Sequence, residues 1–224
     1  MAKYLSIITK FGCHNECPYC IVKENNLHIP KTTIAGLENL KRTILGNECD
    51  WVSLSGGGDP LFHYNENKTW FEHFFEVIPK GVKTELHTSI IGNYEMVAPF
   101  DRIVYHLRNI SDIQNLSRYN GQIVRVVFVV TKDFTEEKIN TIVNLVKFNN
   151  NIDELSFRQM VDENYETTHY CERYLKKGHK KHWYYIQQGD YNLYYCEGRV
   201  STVYKDFEKQ ENKNERVSAN SLHI

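Results

Sequence analysis

Cys13-His14-Asn15-Glu16-Cys17-Pro18-Tyr19-Cys20 gathers three thiols within eight residues, spaced C-x3-C-x2-C. They follow an apolar run, Tyr4-Leu5-Ser6-Ile7-Ile8, that reads as a first strand. Thiolates are soft ligands suited to zinc or iron–sulfur clusters. Three of them can hold three irons of a cubane, which leaves the fourth iron open to an exogenous molecule. The competing chemistry is a zinc site with His14, His28 or Cys49 as fourth ligand. Zinc sites ordinarily pair C-x2-4-C with a matching distant pair, and no second C-x-x-C occurs here. Cys49, Cys171 and Cys196 are scattered and read as buried or free thiols.

A second motif, Ser53-Leu54-Ser55-Gly56-Gly57-Gly58-Asp59-Pro60, closes a second strand. Together the two motifs resemble the radical S-adenosylmethionine (SAM) superfamily. That family carries C-x3-C-x-aromatic-C after its first strand, matched by Cys13, Cys17, Tyr19 and Cys20. It carries Gly-Gly-Glu/Asp-Pro after its second, matched by Gly57, Gly58, Asp59 and Pro60. The resemblance spans residues 3 to about 161. It implies a [4Fe-4S] cluster on Cys13, Cys17 and Cys20, with SAM on the open iron through its amino nitrogen and carboxylate. One electron then breaks a carbon–sulfur bond of the sulfonium, leaving methionine and a 5′-deoxyadenosyl radical that takes a hydrogen atom from a substrate. It also implies an oxygen-sensitive enzyme served by a flavodoxin- or ferredoxin-like electron donor.

For SAM itself, Gly56, Gly57 and Gly58 would let backbone approach the methionine moiety closely. Asp59 would receive the ammonium group, and Tyr19 would pack by the adenine. His87, Ser89, His106, Arg108, Arg158 and Gln159 are the polar strand-end candidates for the rest of the cofactor. Asp59 as a turn residue before proline, and Tyr19 as loop packing, are the plain alternatives.

The elements that must position these residues alternate between strand and helix. Strands are expected at about 4–9, 51–54, 82–89, 102–107, 123–130 and 155–160. Ile34, Leu37, Leu40, Ile44 and Leu45 share one helical face, starting near Thr32-Thr33 and stopped by Gly46-Asn47. Trp70, Phe71, Phe74, Phe75 and Ile78 form a second such face, read as core packing. A third helix over about 135–149 turns Ile139, Ile142, Val143 and Val146 inward. Residues 123–130 are nearly all apolar, as for a strand covered on both faces. Six strands with helical crossovers imply a parallel sheet, either open and doubly wound or an incomplete barrel. The family resemblance selects the incomplete (β/α)6 barrel. In both architectures the chemistry belongs at the carboxyl ends of the strands.

The character changes after residue 161. Arg173 to Ile186 carries five fixed positive charges and no acid. Turn signals at Gly189-Asp190 and Glu197-Gly198 separate tyrosine-rich runs at 183–188, 191–196 and 199–204, which predicts a small antiparallel meander over the barrel mouth. Arg173, Lys176, Lys177, Lys180 and Lys181 are expected to bind an anionic substrate, with Trp183, Tyr184 or Tyr185 packing on it. The division expected is a core over 1–161, a basic, aromatic extension over 162–207 and a polar, mobile tail over 208–224.

With 224 residues, 41% hydrophobic content and 13% aromatics, the chain can bury one substantial core. A net charge of −1 singles out no class of partner. No signal sequence, membrane-length apolar run or disulfide pattern is read, so a reducing cytoplasm is expected. Three functions fit. The first is a radical SAM enzyme acting on a small, anionic or nucleotide-like molecule. The second is a glycyl-radical activating or peptide-modifying relative. The third is a zinc-stabilised nucleic-acid-binding module.

Overall fold

The computed structural model describes residues 2–24, 27–92, 94–119, 121–162, 166–187 and 193–208. The Gly189-Asp190 turn and the tail from 209 lie outside the described residues. Strands β1 (Tyr4–Ile7), β2 (Trp51–Leu54), β3 (Lys83–Thr88), β4 (Arg102–His106), β5 (Ile123–Val130) and β6 (Glu154–Gln159) run parallel and neighbour one another in chain order. β7 (Tyr184–Ile186) extends the β6 edge in parallel. β8 (Leu193–Cys196) crosses to the far edge and joins β1, also in parallel. β9 (Arg199–Ser201) then pairs antiparallel with β8. The nine-stranded sheet runs from β7 to β9 without joining its ends. This is the α/β, incomplete barrel with a small C-terminal β extension that the sequence predicts.

The extension differs from the expected meander. Only β8–β9 is an antiparallel hairpin, and both its strands sit at the sheet edge opposite β7. Turn residues at Glu197-Gly198 fix the hairpin but carry no information about which edge it joins.

Helices α2 (Ile34–Leu37) and α3 (Leu40–Gly46) precede β2, α4 (Lys68–Val77) precedes β3, α6 (Glu136–Lys147) precedes β6 and α7 (Glu172–Gly178) precedes β7; the short α1 (Ile21–Glu24) and α5 (Tyr94–Val97) complete the set. Thr33 and Thr135 cap α2 and α6 by accepting from Gly36 N and Lys138 N, at 3.1 Å each. The predicted single helix over 34–45 breaks at Glu38-Asn39, so Ile34 and Leu45 stand exposed rather than inward.

Register partners share a sheet face. Leu5, Val52, Leu86, Ile103, Val124, Leu155 and their i+2 neighbours form the outer face and pack under Leu37, Leu40, Phe74, Ile139, Ile142 and Leu175. Each such side chain stabilises the fold by about 1.5–3 kcal/mol on burial. The inner face carries Tyr4, Ser6, Ser53, Glu85, His87, Arg102, His106, Arg125, Glu154, Ser156 and Arg158, beside the apolar Trp51, Val104, Val127 and Val129. β5 is apolar on both faces but for Arg125, with Val127 buried on the inner face. Val124, Val126, Phe128 and Val130 are buried outward, and Arg125 turns inward to pair with Glu154 at 2.6 Å.

Candidate active site

The carboxyl ends of the parallel strands form one rim, and the two motifs meet there. Ser55 N donates to Ile7 O at 3.1 Å, Lys10 N to Gly56 O at 3.4 Å and Asp59 N to Gly12 O at 2.8 Å, so the cysteine loop and the glycine turn are sewn together by backbone. All three turn glycines have positive φ. A Cβ on Gly58 would lie 2.1 Å from Gly12 O, and one on Gly57 would lie 2.9 Å from Lys10 Cβ. Their smallness is demanded by the cysteine loop, a requirement the sequence reading assigns instead to a ligand.

Asp59 is buried, and its carboxylate is fully engaged. Oδ1 accepts from Leu61 N at 3.1 Å and Thr88 Oγ1 at 2.7 Å. Oδ2 accepts from Ser89 N and Ser89 Oγ, both at 2.7 Å. In this geometry Asp59 ties the end of β2 to the end of β3. Ser89 Oγ also accepts from Asn15 Nδ2 at 2.7 Å, which links β3 to the cysteine loop. Asn15 is a hub that the sequence reading passes over. Its backbone N–H reaches Cys13 Sγ at 3.4 Å, its Oδ1 accepts from Arg108 at 3.3 Å and its O accepts from Lys23 at 3.0 Å. A polar residue inside a cysteine loop was the only available sign.

Cys13, Cys17 and Cys20 are free, half-buried thiols. Burial raises the Cys13 thiol, and Asp59, Cys17 and Cys20 add to the rise, so a positive metal centre would relieve a crowded set of potential thiolates. Tyr19 sits with them: burial and Cys17 push its phenol up to about 12, opposed by Arg108. Among the described residues no group of three or more His, Cys, Asp or Glu side chains converges as a single-ion site. Cys49 precedes β2 and so lies at the amino ends of the strands, whereas Cys13 follows the carboxyl end of β1, which removes Cys49 as a fourth ligand. Cys171 Sγ meets Phe134 O and Cys196 Sγ meets Pro30 O, both as buried thiols.

Beside the cysteine loop opens a cleft of about 340 Å³ lined by His14, Asn15, Ser89, His106, Leu107, Arg108, Asn109 and Asp112. It joins the cysteine motif to the ends of β3 and β4. Below its rim, Glu85 accepts from Ser53 and His87 through Oε1 and from Arg102 through Oε2, at 2.5, 2.7 and 2.8 Å. Burial alone would raise the Glu85 pKa, but His87, Ser53 and Arg102 hold it well below the usual carboxylate range. Charges at alternate positions of neighbouring strands were the available sequence sign of this inner network.

Arg158 and Gln159 separate onto opposite faces. Arg158 turns inward, while Gln159 takes the outer face and donates to Thr167 Oγ1 at 2.7 Å, so the pair does not act as one cofactor contact. The basic segment is also displaced. In a parallel β6–α7–β7 unit the helix returns toward the strands' amino ends, so Lys176, Lys177, Lys180 and Lys181 lie at the edge opposite the cysteines. Lys176 pairs with Glu172 at 2.7 Å. Trp183 and Tyr185 are 5% and 2% exposed. The Trp183 ring meets Phe157 edge-on and its Nε1 donates to Leu175 O at 2.9 Å, while the Tyr185 hydroxyl bonds Glu172. They pack in the outer core and offer no face to a substrate. Aromatics beside lysines look alike in sequence whether they face a ligand or a helix.

In place of a capping meander, the C-terminal hairpin buttresses the cysteine loop. Ile8, Leu27, Ile29, Cys196 and Phe207 form a second buried cluster, joined by Val22, Tyr194 and Tyr204. Glu197 holds Thr33 through its backbone and hydroxyl. Tyr204 packs 3.1 Å from where a Gly56 Cβ would stand. Among the described residues its hydroxyl is buried without a hydrogen-bond partner, although Gly57 backbone lies close.

No family model matches the sequence, and no curated protein matches it significantly. Among solved structures the chain is similar to Streptococcus suis SuiB bound to S-adenosylmethionine, with a TM-score of 0.55 at 19% identity, covering 84% of this chain and 48% of that one. SuiB bound to precursor peptide SuiA gives 0.57 at 19%, covering 84% and 49%. BtrN in complex with AdoMet and 2-DOIA gives 0.38 at 13%, covering 97% and 81%. The chain thus spans about half the length of SuiB, and the likeness is one of fold. No described helix is long and apolar enough to cross a membrane.

Proposed function

We propose that this chain is a radical SAM enzyme. The observation that carries the proposal is the backbone-locked pair of motifs: three free cysteines after β1 held against a triple-glycine turn after β2, on the carboxyl rim of an incomplete parallel barrel. The residues fit a [4Fe-4S] cluster on Cys13, Cys17 and Cys20. The thiols are unpaired, the loop is braced by Asn15 and Asp59, and the orphaned Tyr204 hydroxyl lies against the turn. When bound, the cluster supplies the electron that cleaves SAM reductively, drawn from a flavodoxin- or ferredoxin-like donor.

The chain's own residues then bind, orient and shield. The backbone of Gly56 to Gly58, fixed by Asp59, offers carbonyl and N–H groups to the methionine end of SAM. Ser89 and Arg108, which line the cleft, would serve the nucleoside end together with Tyr19 and Arg158. The polar inner face favours a substrate with hydroxyl, amino or carboxylate groups. The earlier ground for an anionic nucleotide, the lysine segment, now faces away from the rim. A peptide substrate is the second reading, favoured by the likeness to SuiB bound to its precursor peptide.

The test is iron and acid-labile sulfide analysis after anaerobic reconstitution, for the parent and for single Cys13→Ala, Cys17→Ala and Cys20→Ala variants. The proposal expects about four irons and four sulfides in the parent and loss of the intact cluster in each variant. Full iron and unchanged visible absorption in the variants would remove it.

A further inference from the structure

Two histidines beneath the cleft, joined in series to a buried carboxylate, have no part in holding a cluster. His87 Nε2 lies 2.7 Å from Glu85 Oε1, and His87 Nδ1 lies 2.9 Å from His106 Nε2. His106 in turn lines the cleft beside the cysteine loop. The register explains the series: Glu85 and His87 share the inner face of β3, and His106 occupies the same face one strand over.

We propose that His87 and His106 form a proton relay that takes a proton from, and returns it to, an O–H or N–H group of the molecule held in the cleft. The relay rests on the reading of the cleft as the reaction site. Hydrogen placement follows from the partners. Glu85 is held ionised by Arg102 and accepts only, so His87 Nε2 carries a hydrogen. With both rings neutral, His87 Nδ1 must accept, so His106 Nε2 donates. His106 Nδ1 is then the acceptor left for the molecule in the cleft, which His106 lines. When a proton arrives at Nδ1, the Nε2 hydrogen of His106 passes to His87 Nδ1. No electron changes hands: one N–H forms at His106, one breaks there and one forms at His87, and the donor becomes its conjugate base. The charge comes to rest on His87, next to Glu85.

The surroundings favour that resting place. Burial disfavours charge on His106, as do His87 and Arg158 from β6, opposed only by Glu85. The groups facing the pair are Glu85 on its own strand, Ser53 from β2, Arg102 from β4 and Arg158 from β6, with the apolar Val127 beside His106 on β5. Glu85 offsets Arg102, and the Arg125–Glu154 pair behind them is neutral in sum. A relay in this position suits a substrate whose carbon-centred reaction requires a neighbouring hydroxyl or amine to lose or regain a proton.

The experiment is NMR of the full chain with ring-15N histidine, titrated from about pH 9 to 5, with resonances assigned from His87→Gln and His106→Gln. The expected result is one proton taken up by the pair, with His87 becoming imidazolium while His106 stays neutral and changes from the Nε2–H to the Nδ1–H tautomer at the same midpoint. Glu85→Gln, whose amide can donate as well as accept and so no longer fixes the hydrogen on His87 Nε2, should weaken the tautomer change at His106; if it does not fold, the tautomer change in the parent decides. A His106 that keeps one tautomer throughout, or that becomes the imidazolium itself, overturns the relay. A tautomer change without SAM cleavage by the reconstituted parent would instead sink the functional reading, and with it the relay to a substrate, while leaving the proton coupling of the two histidines established.

Discussion

Gly58 shows at the scale of one residue why the two motifs are inseparable. Its φ of +156° and the 2.1 Å approach of a hypothetical Cβ to Gly12 O leave no room for a side chain. Gly81 has φ +92° but open space around it. Gly58→Ala should therefore cost about 2 kcal/mol or more through overpacking, and Gly81→Ala only about 1 kcal/mol through backbone strain. Urea denaturation of both variants checks the order, and equal losses would show that the turn does not press on the cysteine loop. Glu85 sets the acid limit. Its folded pKa is depressed, so its contribution is complete above the unfolded value of about 4.3 and is lost as the pH falls below it. A denaturant midpoint that falls steeply below about pH 4.3 in the parent, and less steeply in Glu85→Gln, is the expected profile. The cysteines and the glycine turn were legible from residue type and spacing. The three bonds from Thr88 and Ser89 to Asp59 and the reach of Asn15 were not, because Thr88, Ser89 and Arg108 lie tens of residues away and only the register brings them close.

Elements were legible where their period was strong. β2, β5 and α4 fall within a residue or two of expectation, since a short apolar run and an aromatic stripe at helical spacing are local signals. The C-terminal stretch was misread because a strand of three or four residues does not reveal the edge it joins. That edge has consequences. Phe207 is 2% exposed beneath the segment that trails the cysteines. Phe207→Ala should cost about 3–5 kcal/mol and raise hydrogen exchange selectively over residues 27–37; exchange confined to 193–208 would deny the buttress. The basic segment gives the opposite expectation. Replacing Lys176, Lys177, Lys180 and Lys181 together by Ala should leave SAM cleavage and cluster content unchanged, because these residues project from the far edge of the sheet. A loss of either would return the segment to the site.

On the scale of the whole molecule, the sheet places charge inside and hydrocarbon outside, the reverse of a simple sandwich. Helices cover the outer face, and the inner face holds a buried network of Ser53, Glu85 and Arg102. The expectation of a parallel sheet followed from six strands alternating with helices in a chain too short for eight units, and the family resemblance chose the incomplete barrel over an open, doubly wound sheet. The polar lining did not follow, because Glu85, Arg102, Arg125 and Glu154 neutralise one another across strands rather than along them. The most direct test of the central claim is the fate of SAM on the anaerobically reconstituted, chemically reduced protein. Equal amounts of methionine and 5′-deoxyadenosine, formed by the parent and absent from Cys17→Ala, are the predicted result. No 5′-deoxyadenosine from a parent whose iron and sulfide are intact would contradict it.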